Sequence, residues 1–516
     1  MMSPFVVFRA DASRTIGSGH VMRCLTLATA LRDLGMTAVF VSREHDGHLC
    51  HVIQERGFAI TRLSVSTAAV PIDPTLAHAS WLGASWQEDA EQTRVAVEAL
   101  GAKPDWLVAD HYAIDGRWER VLRPAVGQLM VIDDLADRPH DCDLLLDQNL
   151  VAQKQTRYAG KVAPSCGLLL GPDYALLQPV YAEAHDRVPA RKGPIRRIAI
   201  SFGGADNDNL TGCSVRGFLK LDRPDIEVDV VVAANSPHAL AIREQLAEHA
   251  NIHLHCSLPT LAPLFAKADL AVGGSGATNW ERLCLGLPAL VVTMAENQRP
   301  IADELSERHL IRPLGDHTVV DEKAIADALR TVIHEGLDVE WSRRCLAAVD
   351  GKGLSRVCAA MTVTASTPLL ARHARLEDEA LLLKWANDPN TRRNAFSQQP
   401  ITAESHRNWL RGRLRDSGAC QLYLVETESG VPVGQVRFDR EDRTWGIDYA
   451  LAPYLRGRGL GRSLLHVALL SLGDVEPGAL VSGRVKLSNQ PSCRVFESLR
   501  FDAHRTGETV EFRRQI

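Results

Sequence analysis

The sequence predicts an α/β protein in which two parallel-sheet domains precede a smaller α+β domain. Short apolar runs alternate with helix-length segments through residues 1–362, and glycine-containing turns follow several of these runs. Consecutive short strands replace this alternation after residue 369. A length of 516 residues allows about three domains with cores of their own. We therefore expect domains at 1–189, 190–362 and 369–516.

The composition is that of an ordinary soluble globular protein, with 45% hydrophobic and 23% charged residues. The formal net charge is −5, so no global field favours nucleic acid or an anionic membrane. Basic residues must therefore act locally. We expect small-molecule substrates, and neither nucleic acid nor a membrane as a partner; the oligomeric state stays open.

The cysteines indicate a reducing compartment. They number 11, are scattered and form no C-x-x-C motif, so neither a disulfide framework nor a zinc ribbon is predicted. The chain begins directly in a strand without the features of a signal sequence, and no apolar run reaches the length of a membrane span. We expect a cytoplasmic protein.

The first domain begins with a strand, a glycine turn and a helix. Residues Phe5 to Phe8 form an apolar run, Gly17 and Gly19 lie in the turn, and apolar residues then recur at helical spacing. This order places the free N–H groups of a helix N-terminus at the carboxyl edge of a parallel sheet, where α/β proteins bind ligands. His20, in the first turn of that helix, is expected to face the same cleft.

Further apolar runs in this domain predict βαβ units, and polar residues follow two of them. One strand runs into Asp110-His111-Tyr112, and the next ends in Asp133-Asp134. The simplest interpretation of these aspartates is a helix cap or a turn. The predicted strands are Ala38–Val41, Trp106–Ala109, Leu129–Ile132 and Leu144–Leu146.

The run from Arg9 to Ala28 resembles a motif of the nucleotide-sugar hydrolases of pseudaminic acid biosynthesis. It matches every fixed position of R-A-D-x-S-x-x-I-G-x-G-H-V-M-R-C-L-x-L-A. Segments 81–93 and 170–177 also resemble that family. The resemblance implies hydrolysis of UDP-2,4-diacetamido-2,4,6-trideoxy-β-L-altropyranose with release of UDP, His20 as the general base and Tyr112 as an active-site tyrosine. Substrate contacts in this motif are expected at Gly17, Gly19 and Arg23.

A second glycine-rich α/β set follows a polar crossover at residues 184–195. The strand Ile198–Ser201 leads into a turn containing Gly204, and a later turn from Gly273 to Gly276 precedes a helix that starts near Ala277. Such turns let a backbone approach a diphosphate, and Glu281 would accept hydrogen bonds from a ribose diol. The predicted substrate contacts are Gly204, Gly274, Ser275, Gly276, Ala277, Thr278, Glu281 and Gln298.

These two turns, together with Gly286-Leu-Pro288 and Glu296-Asn297-Gln298, resemble the nucleotide half of the two-domain GT-B glycosyltransferases. The resemblance implies two Rossmann-like domains in a GT-B arrangement, with UDP bound mainly by the second. By the same resemblance Asn297 faces the sugar–diphosphate, and we predict it as a second polar contact at the reacting centre.

The third domain carries a third strand–glycine turn–helix unit, now flanked by arginines. Strands are predicted at Leu422–Glu426, Val433–Phe438 and Trp445–Leu451, followed by Arg456-Gly-Arg-Gly-Leu-Gly-Arg462. Backbone N–H groups and guanidiniums of this kind bind a pyrophosphate. The spacing R-x-x-G-x-G and the segment 489–499 resemble the GNAT acetyltransferases, which implies acetyl-CoA as co-substrate. The predicted contacts to it are Arg456, Gly457, Arg458, Gly459, Gly461, Arg462 and Asn489.

This domain departs from the GNAT pattern at one catalytic position. Phe496 stands where many members carry a tyrosine acid, so tyrosine-assisted acid chemistry is not expected. Asp448, on the strand before the arginine turn, is the candidate base for the attacking amine. His406 and Trp409 are candidates for the lining of the acceptor pocket.

Together the three domains predict a bifunctional enzyme. In the resembled pathway, N-acetylation of UDP-4-amino-4,6-dideoxy-N-acetyl-β-L-altrosamine directly precedes the loss of UDP. No Asp, His or Glu pair stands out at metal-ligand spacing, and the resemblance also implies no metal requirement. Three alternatives stay open: a glycosyltransferase, enzymes for a related nucleotide sugar, and a non-catalytic sugar-nucleotide sensor.

Overall fold

The first part of the chain folds around a seven-stranded parallel sheet. The computed structural model describes residues 4–66, 73–203, 206, 208–233, 236–256 and 258–516. The strands and helices of the first part are β1 Phe5–Ala10, α1 Gly19–Asp33, β2 Thr37–Arg43, α2 Cys50–Glu55, β3 Ala59–Leu63, α3 Trp86–Glu98, β4 Trp106–Asp110, α4 Gly116–Leu122, β5 Gln128–Ile132, β6 Leu144–Asp147, β7 Gly167–Leu170 and α5 Pro179–His185.

The strand order of this sheet, β3-β2-β1-β4-β5-β6-β7, reverses direction between β1 and β4. All five residues of β4 are buried, as expected for a strand covered on both faces. Helix α1 buries Val21, Leu25 and Ala28, among others, at the spacing predicted from the sequence. In such sheets, ligands bind outside the carboxyl ends of the two strands at the reversal point, where α1 begins.

A second parallel sheet of six strands follows. Its elements are β8 Arg197–Ser201, α6 Leu210–Leu219, β9 Glu227–Val232, α7 Ala239–Leu246, β10 Ile252–Cys256, α8 Ala262–Lys267, β11 Leu270–Gly274, α9 Thr278–Cys284, β12 Ala289–Thr293, α10 Arg299–Glu307, β13 Arg312–Asp316, α11 Glu322–Glu335, α12 Val339–Ala348 and α13 Gly353–Thr362. The order β10-β9-β8-β11-β12-β13 again reverses, now between β8 and β11. Gly203, which follows β8, and the turn from Gly273 to Gly276, which follows β11, lie at that reversal point.

One compact unit ends at Cys358 and holds both parallel sheets, and a second extends from Ala359 to Ile516. Within the first unit, α5 packs against α8 and α9, and its Tyr181 joins the core of the second sheet. The predicted boundary at residue 189 therefore follows a helix that already belongs to the second core by packing. The division into three domains stays a prediction.

The second unit contains a seven-stranded mixed sheet. Its elements are β14 Leu369–His373, α14 Glu379–Ala386, α15 Pro389–Asn394, α16 Ala403–Arg415, β15 Cys420–Thr427, β16 Pro432–Glu441, β17 Thr444–Leu451, α17 Leu460–Val475, β18 Leu480–Lys486, α18 Gln490–Ser498, β19 Asp502–Thr506 and β20 Thr509–Gln515. The order is β14-β15-β16-β17-β18-β20-β19, antiparallel except between β17 and β18.

Strands β17 and β18 pair over Thr444–Gly446 and Leu480–Ser482 and then separate, which opens a cleft in the sheet. The predicted fold class, two Rossmann-like parallel sheets followed by an α+β domain, is confirmed. Among the residues described, no helix combines the length and the apolar character needed to cross a membrane.

Candidate active sites

His20 and Asp110 form a buried pair at the reversal point of the first sheet. Asp110 is the last residue of β4, and its Oδ1 lies 2.6 Å from Nδ1 of His20 in the first turn of α1. A carboxylate only accepts hydrogen bonds, so Nδ1 carries the proton and Nε2 is left as the basic nitrogen. The sequence alone does not single out Asp110 as a site residue: its position before His111 and Tyr112 is the available signal, but a helix cap or a turn also explains it.

Arg23 binds this aspartate from the next turn of α1. Its Nε and Nη2 donate to the two oxygens of Asp110 at 2.6 Å, and its Nη1 donates to Asp134 at 3.1 Å. Burial opposes ionisation of Asp110, but Arg23 and His20 hold its pKa well below the usual range. The guanidinium of Arg23, predicted as a substrate contact, is thus engaged by two carboxylates of the protein.

Tyr112 lies edge-on to His20, with ring centroids 4.6 Å apart and an interplanar angle of 85°. Burial, followed by the charge of Asp134, raises the pKa of its phenol, so the group is a neutral donor. Gly17 lies in the turn before α1, and Gly19 is the first residue of that helix. The structure therefore brings His20, Tyr112, Arg23 and both glycines to one place.

A network of buried charges supports this turn from within the sheet. Arg9 donates to Asp11 at 2.6 Å and also binds Asp89. Arg43 Nη2 and Trp118 Nε1 donate to the same Asp89, at 2.7 and 2.9 Å. Because all these side chains are buried, we interpret Arg9 and Asp11, the charged residues at the start of the motif, as residues that stabilise the fold.

The second glycine turn lies between β11 and α9, opposite the loop after β12. Gly274 ends β11, Ser275 is fully buried, and a Cβ built on Gly276 would lie 3.7 Å from Nε2 of Gln298. The Oε1 of Gln298 accepts from the backbone N–H of Met294 at 3.2 Å. Gly276 and Gln298 are therefore brought together as predicted contacts of one site.

Gly273, in the same turn, is explained by packing. A Cβ there would clash with the carbonyl oxygen of Ser201 on β8 and with Nη1 of Arg282. Arg282 is itself buried and donates to the carbonyl of Gly274 at 2.7 Å. Burial lowers the pKa of this arginine to about 10. A positive charge thus lies directly beneath the predicted diphosphate turn.

Glu281 projects from α9 towards Tyr181 of α5. Burial raises the pKa of its carboxyl to about 7. The Tyr181 hydroxyl lies against this carboxyl and favours its ionised form, which opposes the effect of burial on the pKa. Among the residues described, Oε2 of Glu281 accepts no hydrogen bond of ordinary geometry. A buried acceptor left open in this way is suited to a hydroxyl-bearing ligand.

The remaining predicted residues of this half are more exposed. Asn297 lies in a short 3-10 turn, Glu296–Gln298, with its side chain exposed. Ala277 is the exposed residue before α9, and Thr278 is the first residue of that helix. Gly204 lies outside the described residues.

In the second unit, the arginine turn precedes the 16-residue helix α17, with Gly457 and Gly459 at φ of 78° and 74°. Gly459 is the residue immediately before the helix, where a left-handed backbone requires glycine. Arg458 is half-buried, which lowers its pKa, and Arg462 is exposed on the first turn. Helix α17 begins at Leu460, within the predicted turn from Arg456 to Arg462.

Three predicted cofactor contacts also make internal interactions. Arg456 Nη1 donates to Asp388 Oδ1 at 2.6 Å and its Nη2 to Thr391 at 2.8 Å, which ties the turn to α15. A Cβ on Gly461 would lie 2.8 Å from Cγ2 of Val495, so this glycine permits close packing of α17 on α18. The side chain of Asn489 caps α18.

Asp448 lies on β17 with 56% of its side chain exposed. It accepts from Nε2 of Gln435 at 3.3 Å, and its Oδ2 lies 3.6 Å from Nη2 of Arg437. The Arg437 guanidinium stacks on the ring of Trp409 at 5.3 Å, and that ring lies 5.2 Å from the ring of His406. The predicted base and both predicted pocket residues are thereby joined through Arg437.

No group of three or more His, Cys, Asp or Glu side chains with the geometry of a metal site occurs in the described part of the chain.

Residues 369–502 match the acetyltransferase (GNAT) domain family. The UDP-2,4-diacetamido-2,4,6-trideoxy-β-L-altropyranose hydrolase of Campylobacter jejuni is 26% identical over 305 residues, covering 59% of this chain and 96% of the hydrolase. An uncharacterised protein of Methanocaldococcus jannaschii is 22% identical over 530 residues, covering 97% of each chain.

Among solved structures, MurG of Acinetobacter baumannii covers 70% of this chain and 99% of its own, at 13% identity and a TM-score of 0.47. The chain is an enzyme that joins a region homologous to a UDP-sugar hydrolase to a domain of the GNAT acetyltransferase family.

Proposed function

We propose that residues 1–358 hydrolyse UDP-2,4-diacetamido-2,4,6-trideoxy-β-L-altropyranose to UDP and the free sugar, and that the GNAT domain acetylates its 4-amino precursor with acetyl-CoA. The homology to the Campylobacter hydrolase and the GNAT match support the two reaction classes. The main structural support for a hydrolase activity is the His20–Asp110 pair at the reversal point of the first sheet.

In this proposal His20 is the general base. Its Nε2 takes a proton from water while the water oxygen bonds to the anomeric carbon. The bond from that carbon to the diphosphate oxygen breaks, and its electron pair leaves with UDP. Asp110 stabilises the imidazolium that forms, and the Tyr112 phenol is available to hold the water or the sugar.

The second sheet would hold the leaving group. The backbone N–H of Ser275 donates to the carbonyl of Val292, so Gly276, with Arg282 beneath the turn, offers the N–H group and positive charge to the diphosphate. Glu281 would accept from the ribose hydroxyls, and the exposed Asn297 would contact the sugar–diphosphate. A diphosphate whose negative charge is stabilised in this way leaves more readily than one without these contacts.

The hydrolase proposal is tested by incubating the full-length protein with the diacetamido substrate and following released UDP. We expect UDP without any acceptor sugar, and a loss of about 10³-fold or more in His20→Asn with an unchanged Ki for UDP. Release that requires an added acceptor would indicate a glycosyltransferase, and no release by the native protein would refute the proposal.

The acceptor proposed for the GNAT domain is supported by the two sides of the sheet cleft. Asp448 on β17 and Arg484 on β18 each lie two residues beyond the Gly446–Ser482 pair, and so on the same face of the sheet. The guanidinium of Arg484 stacks on Phe396, which is 52% exposed, at 4.3 Å. This face of the sheet thus carries a carboxylate on β17 and, on β18, a cation stacked on an aromatic ring, groups that complement the amine and the nucleoside diphosphate of an amino-sugar nucleotide.

Asp448 would take the proton of the attacking amine as the nitrogen bonds to the acetyl carbon and the thiolate of CoA leaves. The test follows free thiol with the UDP-4-amino sugar and acetyl-CoA. We expect Arg484→Ala to raise KM for the nucleotide sugar about tenfold, with KM for acetyl-CoA unchanged and with Arg505→Ala as the exposed control. Absence of thiol with the native protein would refute this acceptor.

A further inference from the structure

Three aromatic side chains form a continuous surface beside His20, and we call it the aromatic wall: His78, Trp81 and Tyr112. The ring centroids of His78 and Trp81 are 4.4 Å apart, those of His78 and Tyr112 5.3 Å, and those of Trp81 and Tyr112 5.7 Å. Tyr112 joins this group to the catalytic imidazole at 4.6 Å. The wall therefore ends at the proposed reacting centre.

The chain positions the wall through a short helical turn. Trp81 lies in the 3-10 helix Ala79–Leu82, and its N–H donates to the carbonyl of His78 at 2.9 Å. Gly83 ends the turn with a left-handed φ of 68°. His78 and Trp81 are thus held on one turn, facing a tyrosine that follows β4.

The wall differs from the aromatic residues of the core in its exposure. All three of its side chains are partly exposed, whereas Phe8, Phe40 and Trp118 of the same half are fully buried. Its rings are also uncharged: burial lowers the pKa of His78 and raises that of Tyr112. Partly exposed, neutral ring faces next to a catalytic group are suited to the C–H and methyl groups of a sugar.

From this placement we propose that the aromatic wall binds the apolar, methyl-bearing face of a deoxy, N-acetylated hexose and selects it against a sugar with a hydroxyl at C6. His78 and Trp81 are the specificity-determining residues of this subsite. The inference rests on the proposed hydrolase function, and it deepens that function by assigning the sugar subsite.

Aromatic rings of this kind also stack on nucleobases such as the uracil of UDP, but the position of the aromatic wall favours the sugar as its ligand. The wall touches the ring of His20, which must reach the anomeric carbon, whereas the predicted nucleotide contacts Gly276, Glu281 and Gln298 belong to the second sheet. The Ki for free UDP distinguishes the two ligands, because only a uracil subsite would change it.

The test compares Trp81→Ala and His78→Ala with the native enzyme on the 6-deoxy substrate and on its 6-hydroxy analogue. We expect KM for the 6-deoxy sugar to rise about tenfold or more, kcat to change less than about threefold and the preference for the 6-deoxy sugar to fall about tenfold. Trp81→Phe should restore most of KM. His51→Ala, on the exposed face of α2, is the matched histidine control.

The kinetic constants of these variants distinguish a sugar subsite from a uracil subsite. An unchanged KM in both alanine variants would overturn the sugar subsite, and a raised Ki for UDP would assign the wall to uracil. If the native enzyme releases no UDP, the proposed function fails. The subsite is then judged by calorimetric binding of the free 2,4-diacetamido-2,4,6-trideoxy sugar, which Trp81→Ala must weaken about tenfold.

Discussion

The hydrogen bond from His20 to Asp110 decides which imidazole nitrogen is free to act as a base. With Nδ1 held at 2.6 Å from the carboxylate, the ring cannot rotate to present that nitrogen, and Nε2 is the available base. Arg23 binds the same carboxylate through two nitrogens and keeps it ionised. The imidazolium formed on proton transfer is therefore paired with a charge that is already in place.

Replacing the negative charge of Asp110 tests whether this carboxylate orients and stabilises the imidazole of His20. We expect Asp110→Asn to lower kcat for UDP release about 10²–10⁴-fold, because the neutral amide no longer stabilises the imidazolium. KM and the Ki for UDP should stay within about threefold. Steady-state kinetics measures this, with the surface variant Asp327→Asn as control. A loss of less than about threefold in kcat would show that His20 acts without Asp110.

If Glu281 binds the ribose as proposed, nucleotide binding should depend on pH. Burial raises the pKa of its carboxyl to about 7, so the group is largely protonated below that value and ionised above it. Ribose hydroxyls donate to the ionised form. UDP affinity should therefore rise with pH through about 7 and level off above it, a dependence that calorimetric titration can follow.

The control for this titration is Glu281→Gln. It removes the carboxyl and keeps the ionisation of the UDP phosphates, so any remaining pH dependence belongs to the ligand. Identical pH profiles for the native protein and the variant would contradict the assignment of Glu281 to the ribose.

The elements around the first site are joined by the buried network of Arg9, Asp11, Arg43, Asp89 and Trp118. These residues come from β1, the turn after it, β2, α3 and α4. Each charge has an opposite partner within hydrogen-bond distance, so the network stabilises the arrangement only while it is complete. Arg9, at the end of β1 just before the turn that leads to His20, is thereby held by Asp89 of α3, 80 residues further along the chain.

Removing the central carboxylate should destabilise the whole first unit. We expect Asp89→Ala to lower the free energy of unfolding by about 3–5 kcal/mol, because the guanidiniums of Arg9 and Arg43 stay buried without their partner. Denaturant unfolding measures the change. The matched control is Asp327→Ala, which breaks an exposed ion pair with Arg330 and should cost at most about 0.5 kcal/mol. Equal effects in the two variants would contradict the role of the network.

At the scale of the whole molecule, the chain carries two compact units with one proposed reaction each. The base proposed for hydrolysis, His20, belongs to the first unit, and the base proposed for acetyl transfer, Asp448, belongs to the second. The two reactions are chemically consecutive in the proposed pathway, since acetylation produces the substrate for hydrolysis.

Variants should therefore separate the two steps. With the UDP-4-amino sugar and acetyl-CoA, His20→Asn should release thiol at the native rate and accumulate the acetylated nucleotide sugar. Asp448→Asn should release little thiol from the amino sugar, yet hydrolyse the preformed diacetamido substrate at the native rate. Chromatography of the nucleotides and a thiol reagent measure both products. UDP released from the amino sugar without acetyl-CoA would contradict this order.

Much of the fold could be predicted from the sequence because its signals are local. The runs Phe5–Phe8, Trp106–Ala109 and Ile198–Ser201 lie within β1, β4 and β8, and each predicted glycine turn in the described residues precedes a helix. A strand buried on both faces must be apolar throughout, and a turn before a helix needs particular backbone angles. Both requirements are met by neighbouring residues and can be read without knowledge of the tertiary structure.

Sequence by itself thus determined the fold class and the positions of His20 and Tyr112, whereas tertiary structure decided the partners of the charged groups. Asp110 is 90 residues from His20, and they meet because β1 and β4 are neighbours in the sheet. The guanidiniums of Arg23 and Arg456 likewise pair with carboxylates that are distant along the chain, Asp134 and Asp388, because the fold brings their elements together. Side-chain pairing depends on which strands and helices become neighbours, and local sequence carries no signal for that choice.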